Sequence, residues 1–185
     1  MNNDNSILWR RLDTPGHDAC GLEKHATGWR LVGTAVFLHQ GMPACFEYRI
    51  ACNARWQTQR GYVRGWLGKE TIEFRIVRTA GGVWSLNGAI VSGLDACIDV
   101  DLGFTPATNL LPVRRLALDP GQAAEAPAAW LDVNAHTLEI LPQRYERRYG
   151  STYWYEAPDF GYAALLEVTS AGFVRRYPDL WEAEI

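Results

Sequence analysis

Residues 97–118 read CIDVDLGFTPATNLLPVRRLAL, and this stretch decides how the rest of the chain can be arranged. From Cys97 to Phe104 apolar and polar side chains alternate. A period of two is typical of a half-buried strand, because successive side chains point to opposite faces. We therefore predict a strand here, with Asp99 and Asp101 together on the face away from the core.

A short helix is predicted to follow this strand. Thr105 can accept a hydrogen bond from an unpaired amide at a helix N-terminus, and Pro106 suits the first helical position because it has no amide proton. Residues 107–111 extend the helix for about one and a half turns, until Pro112 disfavours helical dihedral angles in the residue before it. So short a helix depends on packing for its stability. Residues 113–118 are predicted to form a second strand.

The rest of the chain predicts a mainly β protein. Alternating segments recur throughout and are separated by turn residues such as Asn87-Gly88. Roughly a dozen strands at 8–12-residue spacing favour an antiparallel sandwich, barrel or roll. We expect a single domain over residues 1–185: an antiparallel β-roll or open barrel of roughly a dozen or more strands, wrapped around the short helix.

Composition bears on location and partners. A net charge of −3 and a pI near 5.8 argue against a nucleic-acid partner, which usually requires a basic surface. The first residues, MNNDNSILWRRLD, contain no apolar signal region, so we expect a cytoplasmic protein. Residues 80–94 form the longest uncharged run and are too short and glycine-rich for a transmembrane segment.

No motif predicts a cofactor, a metal ion or a catalytic residue. Four residues near the start could ligate zinc but lack a known ligand spacing: His17, Cys20, Glu23 and His25. The chain contains neither a G-x-S-x-G motif nor a glycine-rich phosphate-binding loop. The prediction is therefore no cofactor and no metal.

The first candidate site is the pair Asp99 and Asp101. Residues i and i+2 of a strand lie about 6.5–7 Å apart at the backbone, within the carboxylate separation of inverting glycosidases. Ion pairing with Arg114 and Arg115 on a neighbouring strand is the more frequent use of such aspartates. We favour structural ion pairing, with ligand binding and then catalysis as the alternatives.

The second candidate is the aromatic hairpin over residues 144–155. Gly150-Ser151 predicts a two-residue turn, which places Arg148 opposite Tyr153 and Arg147 opposite Trp154 in a cation–π arrangement. Aromatic faces with nearby donors suit sugar rings, although such hairpins more often serve to stabilise a sheet. The candidate ligand-binding residues here are Arg147, Tyr149, Tyr153, Trp154 and Tyr155.

The block from Asp99 to Leu116 resembles the bacterial family called putative glycolipid-binding proteins. Further matches to its pattern are Trp9-Arg-Arg-Leu-Asp13, Gly28-Trp29, Tyr48, Trp56, Leu166-Glu167-Val168, Tyr177-Pro178 and Trp181. The resemblance covers nearly the whole chain. It implies a β-roll or open barrel around a helix, similar to bacterial lipoprotein carriers, and a glycolipid as partner. It implies no catalytic residues.

Three functional hypotheses follow. In the favoured one, the concave face of the sheet holds an apolar moiety of a glycolipid or other amphipathic molecule, and polar residues at its mouth grip a headgroup. These polar residues are Asp99, Asp101, Asn109, Arg114 and Arg115. The alternatives are a hydrolase of glycoconjugates, which pairs Asp99 or Asp101 with an acid such as Glu167, and a protein-interaction domain with an exposed apolar patch.

Overall fold

The computed structural model describes residues 5–184, so residues 1–4 and 185 of the predicted domain lie outside the described residues. Within that range the chain forms seventeen strands and one α-helix, α1 (Leu110–Leu116), with 3₁₀ turns at Pro106–Asn109 and Pro158–Phe160. The strands are β1 (Ser6–Arg11), β2 (Gly16–His25), β3 (Gly28–His39), β4 (Met42–Asn53), β5 (Thr58–Leu67), β6 (Glu70–Arg78), β7 (Trp84–Leu86), β8 (Ala89–Val91), β9 (Asp99–Asp101), β10 (Ala123–Glu125), β11 (Ala128–Asp132), β12 (Thr137–Leu141), β13 (Arg144–Arg147), β14 (Thr152–Ala157), β15 (Tyr162–Val168), β16 (Val174–Tyr177) and β17 (Trp181–Glu184).

Fourteen of these strands form one antiparallel sheet in the order β10-β13-β14-β15-β16-β17-β1-β2-β3-β4-β5-β6-β7-β8. Strand β17 pairs with β1, with Trp9 opposite Ala183, so the two ends of the described chain meet in the middle of the sheet. Strands β10 and β8 are the free edges, and the sheet does not close into a barrel. A second sheet has the order β12-β11-β9, with β9 parallel to β11. The predicted mainly β, open antiparallel fold with one short helix is confirmed.

The long strands form because their alternating pattern matches a sheet with one buried face. In β4, Phe46, Tyr48 and Ile50 have no exposed surface, whereas Glu47 and Arg49 between them face solvent. The other long strands repeat this arrangement, and their inner faces form one continuous core.

The segment from Leu102 to α1 fills the concave side of the large sheet. Leu102, Leu110 and Leu111 are at most 1% exposed. Phe104 stacks on Phe37 with a centroid distance of 6.0 Å. The far side of α1 packs on a second core cluster formed with β13 to β16. The predicted burial of the helix by the sheet is therefore observed, and it leaves the concavity occupied by protein.

A buried polar cluster ties this segment to the sheet. Thr105 caps the 3₁₀ turn as predicted, because its hydroxyl accepts the Ala107 amide at 3.0 Å. The same hydroxyl donates to the carboxylate of Asp18 on β2. Tyr48 donates its hydroxyl to Asp18 at 2.9 Å. Gly33 on β3 makes room for this ring, since a Cβ there would overlap the Tyr48 hydroxyl.

The predicted strand over 97–104 is wrong in length and in exposure. Only Asp99–Asp101 is a strand, and Asp99 is 1% exposed. The reason is tertiary: β9 pairs with β11 along one edge, and on the other edge the Val100 amide donates to the Thr58 hydroxyl at 3.1 Å. Both edges of β9 are consequently paired, and both Asp99 and Val100 are buried although they point to opposite faces.

Pro112 does not end the helix, and the predicted strand over 113–118 is wrong. The chain passes from the 3₁₀ turn into α1, which places Pro112 in the first α-helical turn, where an amide proton is dispensable. The Leu110 amide donates to the Ala107 and Thr108 carbonyls. The helix ends at Ala117, whose φ of 45° is left-handed.

Candidate functional site: an aromatic pocket with a carboxylate

A pocket of about 290 Å³ opens beside the segment that carries Asp101 and Asn109. We call it the aromatic pocket. Its aromatic walls come from three separate parts of the chain and comprise Trp130, Tyr155, Phe160, Tyr162, Tyr177 and Trp181. Phe160 is 56% exposed and meets the edge of Trp130 at a centroid distance of 5.3 Å. The pocket therefore combines rigid apolar faces with polar groups from a single short segment.

Asp101 is the only carboxylate among the residues lining the pocket. It lies at the end of β9, where its Oδ1 accepts the Gly103 amide at 2.7 Å and its Oδ2 accepts Gln143 Nε2 at 2.6 Å. Burial raises the pKa of Asp101, and these two hydrogen bonds lower it again in part. Each carboxylate oxygen keeps a further lone pair, so Asp101 can still accept hydrogen bonds from a ligand.

A chain of hydrogen bonds connects Asn109 to this carboxylate. Asn109 Nδ2 donates to the Tyr145 hydroxyl at 2.8 Å, and that hydroxyl donates to Gln143 Oε1 at 3.5 Å. Gln143 in turn donates to Asp101. Because all three donors point the same way along this series of hydrogen bonds, their dipoles favour negative charge on Asp101 and hold Asp101 and Asn109 in place.

The tyrosines of the pocket remain neutral phenols. Burial raises the pKa of Tyr155 and Tyr177 well above the usual range of a tyrosine and that of Tyr162 to about 12. Tyr162 donates its hydroxyl to the Pro178 carbonyl at 2.7 Å. These side chains therefore offer ring faces and hydroxyls and have no role as bases near neutral pH.

Asp99 and Arg115 form a structural ion pair, as the sequence predicted. Arg115 Nη2 lies 2.7 Å from Asp99 Oδ2, and its Nε lies 3.1 Å from Oδ1, a two-point contact. Burial raises the pKa of Asp99, and the bonds to Arg115 oppose this shift. The pairing predicted for Asp101 is wrong, because its partners are Gly103 and Gln143.

The arrangement of acids does not favour the hydrolase hypothesis. Asp99 forms an ion pair with Arg115 and does not line the pocket. Glu167 on β15 lies 3.9 Å from Arg176 and does not line the pocket either. An acid–base pair of carboxylates would need two of them in one cleft. Within residues 5–184, no group of three or more His, Cys, Asp or Glu side chains is placed to hold a metal ion.

The hairpin differs from its predicted register by one residue. Arg147 lies opposite Tyr153, and Glu146 lies opposite Trp154. The Arg148 amide donates to the Thr152 carbonyl at 3.0 Å, so three residues form the turn, with Gly150 in the left-handed region at φ 53°. The cation–π contact therefore joins Arg148 to Trp154, at 6.0 Å.

The structure divides the predicted site residues among four places. Asp101, Asn109 and Tyr155 line the aromatic pocket. Arg114, Arg147 and Tyr153 line a second cavity of about 490 Å³, which we call the arginine groove. Asp99 and Arg115 form the buried pair. Tyr149, 68% exposed, and Trp154 lie on the hairpin outside both cavities.

Most of the aromatic walls were missed by sequence reasoning as ligand-binding residues. Trp130, Phe160 and Tyr162 lie in β11, in a 3₁₀ turn and at the start of β15, and no local pattern links them to Asp101. Tyr177 and Trp181 entered only through the family resemblance. They meet where the two sheets face each other, so only their aromatic character could have marked them.

The fold has a solved counterpart. A crystal structure of a DUF1089 family protein from Pseudomonas aeruginosa is similar over 89% of this chain and 91% of that chain, with a TM-score of 0.79 and 25% sequence identity. No curated protein matches the chain. No helix among residues 5–184 has the length and apolar character needed to cross a membrane. The family model described as "Putative glycolipid-binding" matches residues 6–183, and the chain belongs to that family.

Proposed function

We propose that this protein binds a glycolipid and that the aromatic pocket takes the sugar headgroup. The observation that carries the proposal is the Asp101 carboxylate in a pocket walled by six aromatic residues. Sugar rings present C–H faces that stack on aromatic rings, and their hydroxyls donate to carboxylate and amide oxygens. Asp101 and Asn109 supply such acceptors, and Tyr155 supplies a ring face.

The size of the pocket supports a headgroup as its occupant. Its volume of about 290 Å³ is at the lower end of the range for small-molecule sites, roughly 300–1,000 Å³. Because Leu102, Leu110 and Leu111 occupy the concave face of the sheet, an acyl chain inside the sheet would have to displace them. The apolar chain would instead lie over the exposed Phe160 and over Leu12, whose amide donates to the carbonyl of the pocket residue Leu180.

Titration with n-octyl β-D-glucoside, an uncharged glycolipid analogue, tests the proposal. Isothermal titration below the micellar concentration should give saturable binding to the wild-type protein. Asp101→Asn should weaken binding about tenfold, because a charged acceptor contributes roughly 1.5–3 kcal/mol to a hydrogen bond. The exposed Asp95 lies outside the pocket, so Asp95→Asn is the matched control and should bind as the wild type does.

Two further measurements test binding of the alkyl chain and the presence of a natural ligand. Leu12→Ser should reduce the affinity for octyl glucoside towards that for methyl glucoside, since Leu12 is a proposed contact for the alkyl chain, is exposed and does not line the pocket. Native mass spectrometry of protein purified from cells should detect a bound amphiphile. Equal affinities of wild type, Asp101→Asn and Asp95→Asn, or no saturable binding, would contradict the proposal.

A further inference from the structure

The arginine groove lies next to the aromatic pocket on the inner side of β14. Tyr153 lines the groove and Tyr155 lines the pocket, and residues two apart on a strand face the same side. The helical segment likewise contributes Asn109 to the pocket and Arg114 to the groove. The groove is therefore a separate cavity formed by the same two elements.

Positive charge in the groove is not balanced by acids. Its lining residues include Arg114 and Arg147 and no Asp or Glu. Neither arginine forms an ion pair with a carboxylate in the described part of the chain, whereas Arg115 and Arg144 nearby both do. Two arginines without carboxylate partners make the potential of this cavity positive, which favours an anionic ligand.

The guanidinium of Arg114 is held in position. It lies over the Trp56 ring at 4.9 Å, and the same indole stacks on Trp29 at 4.8 Å. Gly172 packs against the aliphatic part of the Arg114 side chain, since a Cβ added at Gly172 would lie 3.0 Å from Arg114 Cδ. Both supporting residues have a positive φ, 64° for Trp56 and 99° for Gly172. A left-handed backbone conformation is uncommon for tryptophan. Where residues adopt such strained conformations, they cluster at ligand-binding sites.

Arg147 is anchored as well. Its Nη1 donates to the Leu118 carbonyl at 2.8 Å, and its Nη2 donates to the Gly150 carbonyl at 3.1 Å. Each η nitrogen carries a second hydrogen that can donate to a ligand. The hydroxyls of Ser151 and Thr169 also line the cavity. Two fixed guanidiniums with neighbouring hydroxyls match the acceptor-rich, doubly charged surface of a phosphate group.

The carboxyl end of α1 opposes anion binding, because Ala117 lines the groove and the last helical carbonyls lie near it. The size of this effect is limited. A complete helix dipole equals about half a negative charge, and α1 has only seven residues. Two full positive charges therefore dominate the potential in the groove.

From this arrangement we propose that the arginine groove binds the phosphate group of a phosphate ester. Arg114, whose guanidinium lies over the Trp56 ring, and Arg147, on the hairpin, both donate hydrogen bonds to the phosphate oxygens. The site is independent of the aromatic pocket and does not require a sugar ligand. The phosphate could belong to a lipid headgroup or to a soluble phosphate ester, and the groove chemistry is the same for both.

Inorganic phosphate and glycerol phosphate are the probes for the test. Isothermal titration in phosphate-free buffer should show saturable binding of both, with affinities on the order of 1 mM for so open a site. Arg114→Gln and Arg147→Gln should each weaken binding about tenfold or more, since each removes a charge-assisted contact. Arg49 on the outer face of β4 is exposed and lies outside the groove, so Arg49→Gln makes the same change in net charge as a control.

Circular dichroism and urea unfolding confirm that each variant is folded. Arg147→Lys serves as a second variant, because it keeps the positive charge and loses the planar guanidinium donors. Its phosphate affinity should lie between those of the wild type and Arg147→Gln. Binding that is retained in Arg49→Gln and lost in the groove variants supports the site. No saturable binding, or an equal loss in all variants, overturns it.

Vesicles identify the source of the phosphate. Cosedimentation is compared for vesicles of phosphatidylcholine alone and for vesicles that also contain phosphatidic acid. Binding only to the latter, weakened by Arg114→Gln, assigns the anionic phosphomonoester of a lipid, because the phosphodiester of phosphatidylcholine is blocked by its choline group. Binding of glycerol phosphate without vesicle binding assigns a soluble ester. Because octyl glucoside carries no phosphate, failure of its binding to the aromatic pocket leaves this result unaffected, and the reverse also holds.

Discussion

Asp18→Asn is expected to remove much of the dependence of stability on pH between about pH 4 and pH 7. Asp18 has no exposed surface, and its side-chain hydrogen-bond partners are the hydroxyls of Tyr48 and Thr105. Burial raises the pKa of Asp18 from 3.8 to about 7, against the smaller opposing effect of these hydrogen bonds. The carboxyl group is therefore protonated in the folded protein at a pH where the unfolded chain has lost the proton.

The sign of the effect follows from proton binding. Between pH 3.8 and about 7 the folded state holds a proton that the unfolded state lacks, so the free energy of unfolding falls as the pH rises. The stabilising contribution is complete below the unfolded pKa and is lost above the folded one. At about 1.4 kcal/mol per pH unit, the total loss is roughly 4 kcal/mol, of which about 3 kcal/mol falls between pH 5 and pH 8.

Asparagine has the shape of aspartic acid and no charge to bury. At about pH 5 the Asp18→Asn variant should be no more stable than the wild type, because its amide adds a donor that can cost roughly 1–3 kcal/mol if left unpaired. At about pH 8 the difference in unfolding free energy between variant and wild type should have moved by about 3 kcal/mol in favour of the variant.

Urea unfolding at constant ionic strength, in half-unit steps of pH, measures both curves. Asp95→Asn controls for the loss of an exposed carboxylate. A carboxyl-carbon NMR titration of Asp18 gives its pKa directly. Parallel stability curves for wild type and Asp18→Asn would refute the reasoning, because they would mean that Asp18 titrates alike in the folded and unfolded states.

Three further predictions concern the segment that the sheet encloses. Arg115→Gln should destabilise the fold by about 3 kcal/mol, because it leaves the buried Asp99 carboxylate without its partner. The double variant with Asp99→Asn should regain part of that stability in a double-mutant cycle measured by urea unfolding. Additive losses would contradict the pairing. Leu111→Ala should cost about 2–5 kcal/mol in the same assay, since Leu111 has no exposed surface, and a loss below about 1 kcal/mol would show a loosely packed helix. Gly33→Ala should lower the melting temperature because its Cβ would overlap both Cζ and the hydroxyl of Tyr48, and combining it with Tyr48→Leu, which removes both atoms, should cost less than the sum of the single losses; strictly additive losses would rule out that contact.

Local patterns predicted the elements whose environment is regular. The alternating residues of β3 to β6 became long strands, because each has one face in the core and one in solvent. Thr105 became a cap, since capping needs only its own hydroxyl and the next amides. Two predictions of local structure that failed concern β9 and Pro112. There the local pattern was outweighed by β11, which covers β9, and by the packing of α1 inside the sheet.

The sequence by itself determined a mainly β chain with a capped helical segment, because strand alternation and helix capping act between near neighbours. It also marked Asp101, Asn109 and Tyr155 as candidates, and these three line one pocket. Tertiary structure alone decided that Asp99 keeps the predicted arginine partner while Asp101 has none and faces a cavity. It also decided which aromatic residues surround Asp101. The physical reason is that residues 101 and 130 of the three-stranded sheet meet residues 155–162 and 177–181 of the fourteen-stranded sheet, and no spacing along the chain encodes that contact between two sheets.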